Sequence, residues 1–235
     1  MSVFDAVLFD LDNTLCRGDQ SAETIYFGAF EWADVDPVGS PSDLWGALDG
    51  DPPPHDPTDY LADGFERVAA THGVAVDAGR LAEGFLATVD YRAVSFVPGA
   101  ERALDAAREH GPVGLLTNGP SSRQAVKLEA LGIEGAFDVV VYAGDLSRRK
   151  PFPEPFEAAL GTLGVQPGAA LYVGDSVEYD VAGAHRAGLH AAWFAGETEW
   201  DAETRGGVER PAYVLERMDD LPDVLDDAGA GPTSP

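Results

Sequence analysis

Four short stretches of the chain gather side chains able to do chemistry. Asp10-Leu11-Asp12-Asn13-Thr14-Leu15 follows an apolar run and sets two carboxylates two residues apart. In extended chain such residues point to one side, so Asp10 and Asp12 can converge while Leu11 faces the core. Converging carboxylates at a strand end suit a hard cation, or a nucleophile with an acid partner. Leu115-Leu116-Thr117-Asn118-Gly119 brings a hydroxyl and then free backbone amides ahead of a helix start, which is a ready anion site. Arg148-Arg149-Lys150-Pro151-Phe152-Pro153 concentrates positive charge before another helix, and one ammonium there would neutralise carboxylates and bind phosphate as a point charge. Tyr172-Val173-Gly174-Asp175-Ser176, with Asp180, puts an acid just past a strand end and another five residues on. Alone, each stretch also has a plainer reading, as turn residues, an ordinary helix cap, a solvated basic turn, or a cap with a surface acid.

The elements that must position these groups are legible as alternating patterns. Apolar runs of strand length recur at Ala6–Phe9, Val113–Leu116, Phe137–Tyr142, Ala169–Val173 and His190–Phe194, and read as strands buried on both faces. Helical patterns lie between them: Glu101–His110, a helix from Ser121 stopped by Gly132, Glu154–Leu163, and Val177–Ala187. Ser121 with Gln124 reads as a capping box for the second of these. Strand and helix in alternation imply an α/β core with a Rossmann-like, doubly wound parallel sheet. Residues 17–95 differ. They carry helical patterns without an alternating strand: Ser21–Ala33, a helix capped by Thr58, and one capped by Asp77. The proline-rich segment Asp49–Pro57 must be loop. The expected organisation is a core of residues 1–16 and 96–227, an inserted all-helical domain of 17–95, and a disordered tail of 228–235.

Composition narrows the class of function. The 235 residues carry a formal charge of −26, with only two lysines, Lys127 and Lys150. So negative a chain is repelled by nucleic acid and by anionic membranes, so neither is expected as a partner. A carboxylate surplus with little lysine is what a cytosol at very high salt favours, because screening removes most self-repulsion. Cys16 is the single cysteine, which excludes an intrachain disulfide and a cysteine zinc site and points to the reducing cytoplasm. The short run Ala6–Phe9 between acids is neither a signal peptide nor a membrane span.

Taken jointly, the four stretches fall at strand ends or lead into helices, at the edge where such sheets bind ligands. In type and order they resemble the haloacid dehalogenase superfamily of aspartate-nucleophile phosphohydrolases, with its DxDx[TV], hydrophobic-[ST], Lys and GDxxxxD motifs. The resemblance covers the core, and the insert resembles that family's helical cap, closing over the site. It implies that Asp10 attacks phosphorus and becomes an aspartyl phosphate, while Asp12 protonates the leaving alcohol and later takes a proton from water. It implies a Mg²⁺ held by Asp10, the backbone carbonyl of Asp12 and Asp175, with Asp180 orienting a metal-bound water. Thr117 and the amide of Asn118 would hold phosphoryl oxygens, with Lys150 offsetting negative charge. The implied substrate is a small phosphorylated metabolite.

The second acid also discriminates within the superfamily, since dehalogenase members of this kind lack an acid at the Asp12 position. A sugar-phosphate mutase uses the same apparatus and stays open. A phospho-receiver module is a rival of another class, but receivers carry their acid pair ahead of a separate phospho-acceptor strand and have no large helical insert. No P-loop or GxSxG pattern appears, and the five histidines show no metal-binding spacing. Trp32, Trp45, Tyr60 and Phe65 read as core of the insert. Arg67, Arg80 and Arg92 read as solvated helix faces or as contacts to a second substrate anion.

Overall fold

The computed structural model describes residues 4–50, 52–196, 198, 200 and 207–229. It divides the chain into two compact units, Met1–Arg17 with Val94–Pro235, and Gly18–Ala93. In chain order the elements are β1 (Ala6–Phe9), β2 (Cys16–Gly18), α1 (Ala22–Ala33), α2 (Pro41–Ala47), α3 (Thr58–His72), α4 (Ala78–Thr88), β3 (Val94–Phe96), α5 (Ala100–His110), β4 (Val113–Thr117), α6 (Ser121–Leu131), β5 (Val139–Tyr142), α7 (Glu154–Leu163), β6 (Ala170–Gly174), α8 (Ala182–Arg186), β7 (His190–Phe194), β8 (Tyr213–Leu215) and α9 (Leu221–Gly229).

The first unit is built on a six-stranded sheet in the order β5-β4-β1-β6-β7-β8, parallel throughout. After β1 the chain winds outward through β4 and β5, then returns to the other side of β1 for β6, β7 and β8. The winding therefore reverses between β1 and β6, and the crevice beyond their carboxyl ends is where sheets of this kind bind ligands. Alternation within the strands feeds two cores. Val7, Phe9, Leu115 and Val173 pack with Leu104 of α5, Leu128 of α6 and Leu225 of α9, while Ala6, Leu8, Leu116 and Tyr172 pack with Phe156 and Leu160 of α7 and Ala184 of α8. Burying each large apolar side chain of this set stabilises the fold by about 1.5–3 kcal/mol. This is the Rossmann-like, doubly wound α/β architecture that the strand and helix alternation implies.

The second unit holds α1 to α4. Tyr26 and Phe30 of α1, Leu44 of α2, Phe65 of α3 and Phe85 of α4 form its core, with the Tyr26 and Phe65 rings stacked at 5.7 Å. Phe65 is core as expected, but Trp32 and Trp45 are about half exposed, at 47% and 51%. The interior is already filled by Tyr26, Phe30 and Phe85, so Trp45 meets Phe85 only edge-on and Trp32 lies under the Arg80 guanidinium. Helix α2 has no counterpart in the apolar pattern, because it is seven residues long and buries only Leu44. Thr58 is the first residue of α3 rather than its cap.

Three further differences from the sequence pattern are local. Two short strands, β2 and β3, pair with each other at the ends of the insert. β8 is three residues long, and α9 continues the backbone through Gly229. The rest of the expected tail, residues 230–235, lies outside the described residues. Among the described residues no helix is long and apolar enough to cross a membrane.

Candidate active site

β1 ends at Phe9, and the chain then turns tightly: the amides of Leu15 and Cys16 both donate to the Leu11 carbonyl, at 2.9 and 3.0 Å. Asn13 takes the left-handed conformation, φ 59°, which asparagine tolerates better than most residues. Leu11 is fully buried. Asp10 and Asp12 thus face one cavity with Leu11 buried between them, as two-residue alternation expects, and the turn that follows closes on the Leu11 carbonyl. That cavity, about 310 Å³, is lined by Asp10, Asp12, Thr117, Asn118, Lys150, Asp175 and Asp180, together with Asn13, Gly119, Ser176 and Tyr179. All seven residues singled out from the sequence are therefore brought together.

Asp10, Asp175 and Asp180 are the acidic cluster. One carboxylate oxygen from each lies within 4.8 Å of the others. Lys150, itself buried, stands 2.7 Å from Asp10 Oδ1 and 2.8 Å from Asp180 Oδ1, and is also within reach of Tyr172 Oη at 2.8 Å and the Leu116 carbonyl at 3.1 Å. An ammonium has three protons for these four oxygens, so Tyr172 can serve Lys150 as acceptor while its own hydroxyl donates to the Leu116 carbonyl at 2.9 Å. The Lys150 backbone is fixed by Asn118, whose side-chain oxygen accepts from Lys150 N at 2.8 Å and whose amide donates to the Lys150 carbonyl at 3.0 Å. The Asn118 side chain is thus a brace, and its backbone amide is the group that could meet an anion.

After β6, residues Val177–Val181 form a wide π turn in which the Val181 amide reaches back to the Ser176 carbonyl at 3.1 Å. The turn carries Asp180 under the end of the strand, where its second oxygen accepts from Ser176 N at 2.9 Å. Gly174 makes room for this, because a Cβ there would collide with the Asp180 carboxyl. Asp175 accepts from Thr14 at 3.2 Å, and its carbonyl accepts from the Trp193 indole at 2.8 Å.

Electrostatics follow from this crowding. Burial, with Asp180 and Asp12 adding to it, pushes Asp10 up to about 8 despite the opposing pull of Lys150. Burial and Asp180 push Asp175 up to about 6. Burial alone would lower Lys150, but Asp10 and Asp180 outweigh it and raise it, so the ammonium stays charged. Once all three are ionised, as cation binding requires, Asp10, Asp175 and Asp180 outnumber Lys150 by two charges. Oxygen-only donors with that surplus fit a hard divalent cation. The Asp12 carboxylate lies outside this cluster.

Besides Tyr172, two residues on α6 escaped the sequence pattern. Lys127 Nζ lies 2.6 Å from Asp12 Oδ1, and Gln124 Nε2 lies 2.7 Å from Asp12 Oδ2. Gln124 does not complete a capping box with Ser121; α6 begins after Pro120 with no side-chain cap. The available signal is their spacing, since residues three apart share a helix face. Cys16 is buried and does not line the cavity, and burial followed by Asp12 pushes its thiol up to about 12, so it is not a nucleophile. Arg148 pairs with Glu154 at 3.3 Å and Arg67 with Asp49 at 2.7 Å.

Known proteins match this arrangement at three levels. The chain is 28% identical over 207 residues to the pyrimidine 5'-nucleotidase YjjG of Escherichia coli, covering 81% of this chain and 85% of that protein. It is 37% identical over 159 residues to a phosphoserine phosphatase of Thermus thermophilus, covering 65% of this chain and 63% of that one. Among solved structures, a 2-haloacid dehalogenase of Pseudomonas syringae matches with a TM-score of 0.67 and 27% identity, over 95% of this chain and 99% of that one. The family model of haloacid dehalogenase-like hydrolases matches residues 4–188. With its sheet, its acidic cluster and this match, the chain belongs to the haloacid dehalogenase-like hydrolases.

Proposed function

We propose that the protein is a cytoplasmic, Mg²⁺-dependent phosphatase of a small phosphomonoester, working through an aspartyl phosphate on Asp10. The observation that carries the reading is Asp12, a second carboxylate lining the same cavity as Asp10, Thr117 and Lys150. A departing halide needs no proton, whereas a departing alkoxide does, so this acid favours phosphate esters over the substrates of the dehalogenase neighbour. The names of YjjG and of the Thermus phosphatase point the same way.

Asp10, Asp175 and Asp180, with the Asp12 carbonyl, would hold the Mg²⁺, which when bound supplies positive charge against the phosphoryl oxygens. The Asp10 carboxylate attacks phosphorus, forming an O–P bond as the bond to the alcohol breaks, and Asp12 delivers its proton to the departing oxygen. Water then attacks the aspartyl phosphate, giving its proton to Asp12, and inorganic phosphate leaves with Asp10 restored. Thr117 and the Asn118 amide hold phosphoryl oxygens throughout. In this reading residues 17–95 are the cap, with the catalytic core formed by 1–16 and 96–227, and the acidic surplus suits a high-salt cytosol. Release of inorganic phosphate from 4-nitrophenyl phosphate, with Mg²⁺ in molar KCl, tests it. Asp10→Asn must abolish turnover, and retained activity sinks the mechanism.

A further inference from the structure

We propose that Gln124 and Lys127 are positioning residues that fix the carboxylate of Asp12, and that Gln124 also sets the direction of the Thr117 hydroxyl. This rests on the phosphatase reading above. Both Asp12 oxygens are engaged, Oδ1 by Lys127 and Oδ2 by Gln124, at 2.6 and 2.7 Å. The same Gln124 nitrogen lies 2.6 Å from Thr117 Oγ1. A carboxylate can only accept, so the nitrogen of the Gln124 amide must face it, and the two N–H groups then serve Asp12 and Thr117 separately. Thr117 Oγ1 accepts from Gln124 and, at 3.4 Å, from the Gly119 amide. With its lone pairs so used, its own proton is the part left to meet an anion.

The placement is built into the fold. Gln124 is 2% exposed, and a Cβ on residue 119 would come 2.5 Å from its nitrogen, so Gly119 is what admits the side chain. Lys127 follows one turn later on the same face of α6. Both lysines of the chain therefore end on carboxylates of the first motif, Lys150 on Asp10 and Lys127 on Asp12. Proton transfer to a leaving oxygen depends on the donor's position to a fraction of an ångström, which a clamp on both carboxylate oxygens supplies.

The test compares kcat/KM for an alkyl phosphate, glycerol phosphate, with that for 4-nitrophenyl phosphate, whose leaving group needs little protonation. Lys127→Met should lower kcat/KM by about 10- to 100-fold on the alkyl ester but by about threefold or less on the aryl ester, with the change in kcat rather than KM; Gln124→Glu, which also releases Thr117, should lower both, the alkyl ester by about tenfold more than the aryl. Lys127→Arg, which keeps the cation, should recover to within about threefold of the wild type. Equal losses on both esters, or no loss on either, overturn the proposal. Asp12→Asn is the reference for a lost acid: if it is selective against the alkyl ester and Lys127→Met is not, the positioning role alone fails. A wild-type protein inactive on both esters overturns the phosphatase reading and the positioning role with it. Should Lys127→Met fail to fold, Gln124→Glu and Lys127→Arg carry the comparison.

Discussion

Lys150 Nζ lies 2.7 Å from Asp10 Oδ1, inside the protein and in contact with a second carboxylate, Asp180. One compact ammonium ties the end of β1 to the turn after β6. The planar, larger guanidinium of arginine cannot reproduce that packing. Lys150→Arg should therefore lower kcat by about 100-fold or more, as expected for displaced reacting groups. Lys150→Met leaves two buried carboxylates unpaired, and a urea titration should find it destabilised by about 3–5 kcal/mol.

The acidic cluster makes stability depend on pH in a definite direction. Asp10, at about 8, binds its proton more tightly in the fold than in the unfolded chain, where its value is near 3.8. The folded state therefore holds the extra proton, and stability of the metal-free protein declines as pH rises from about 4 to about 8. Asp175, raised to about 6, adds to the decline in the lower part of that window. Thermal melts in EDTA across pH 5 to 8 should show a falling Tm. Added Mg²⁺ should raise Tm more at pH 8 than at pH 5, with proton release on binding seen by calorimetry in buffers of different ionisation enthalpy.

Gly174→Ala puts a methyl group against the Asp180 carboxyl. Asp180 is buried and held by Lys150 and by Ser176 N, so it cannot step aside without loosening both. A loss of about 1–3 kcal/mol in stability is expected, together with weakened Mg²⁺ affinity measured by calorimetry. Unchanged affinity would show that Asp180 does not depend on that space.

Self-repulsion among 41 acidic residues is only partly countered by 15 basic ones. Screening should therefore stabilise the fold, and Tm should rise between about 0.1 and 2 M KCl. A flat or falling Tm over that range would separate the acidic composition from any dependence on salt.

Legibility in the sequence followed the physics of each element. Asp10, Thr117 and Asp175 were readable because strands buried on both faces are continuous apolar runs, and the first polar residue past each run marks the carboxyl edge. Lys150 stood out by rarity. The convergence of Asp10 and Asp12 follows from alternation, with Leu11 between them buried in the core. Gln124 was hidden by a competing local pattern: Ser and Gln three apart at a helix start fit a capping box, and only tertiary context turns the amide inward instead. Tyr172 was hidden differently, since its hydroxyl reaches Lys150 from within an apolar strand. In the second unit, α2 has too few buried residues to leave a periodic trace, and Trp32 and Trp45 were displaced from the interior by smaller aromatics that fit it.

The π turn at Val177–Val181 contains one residue more than an α-helical path would need. Deleting a single residue there would let the segment join α8 as ordinary helix, which its backbone hydrogen bonds would favour. The same deletion would swing Asp180 about 100° around the helix axis, away from Lys150 and Ser176. Chain length in this segment therefore bears on the site alongside the identity of Asp180: a shortened protein would have a better helix and an incomplete acidic cluster.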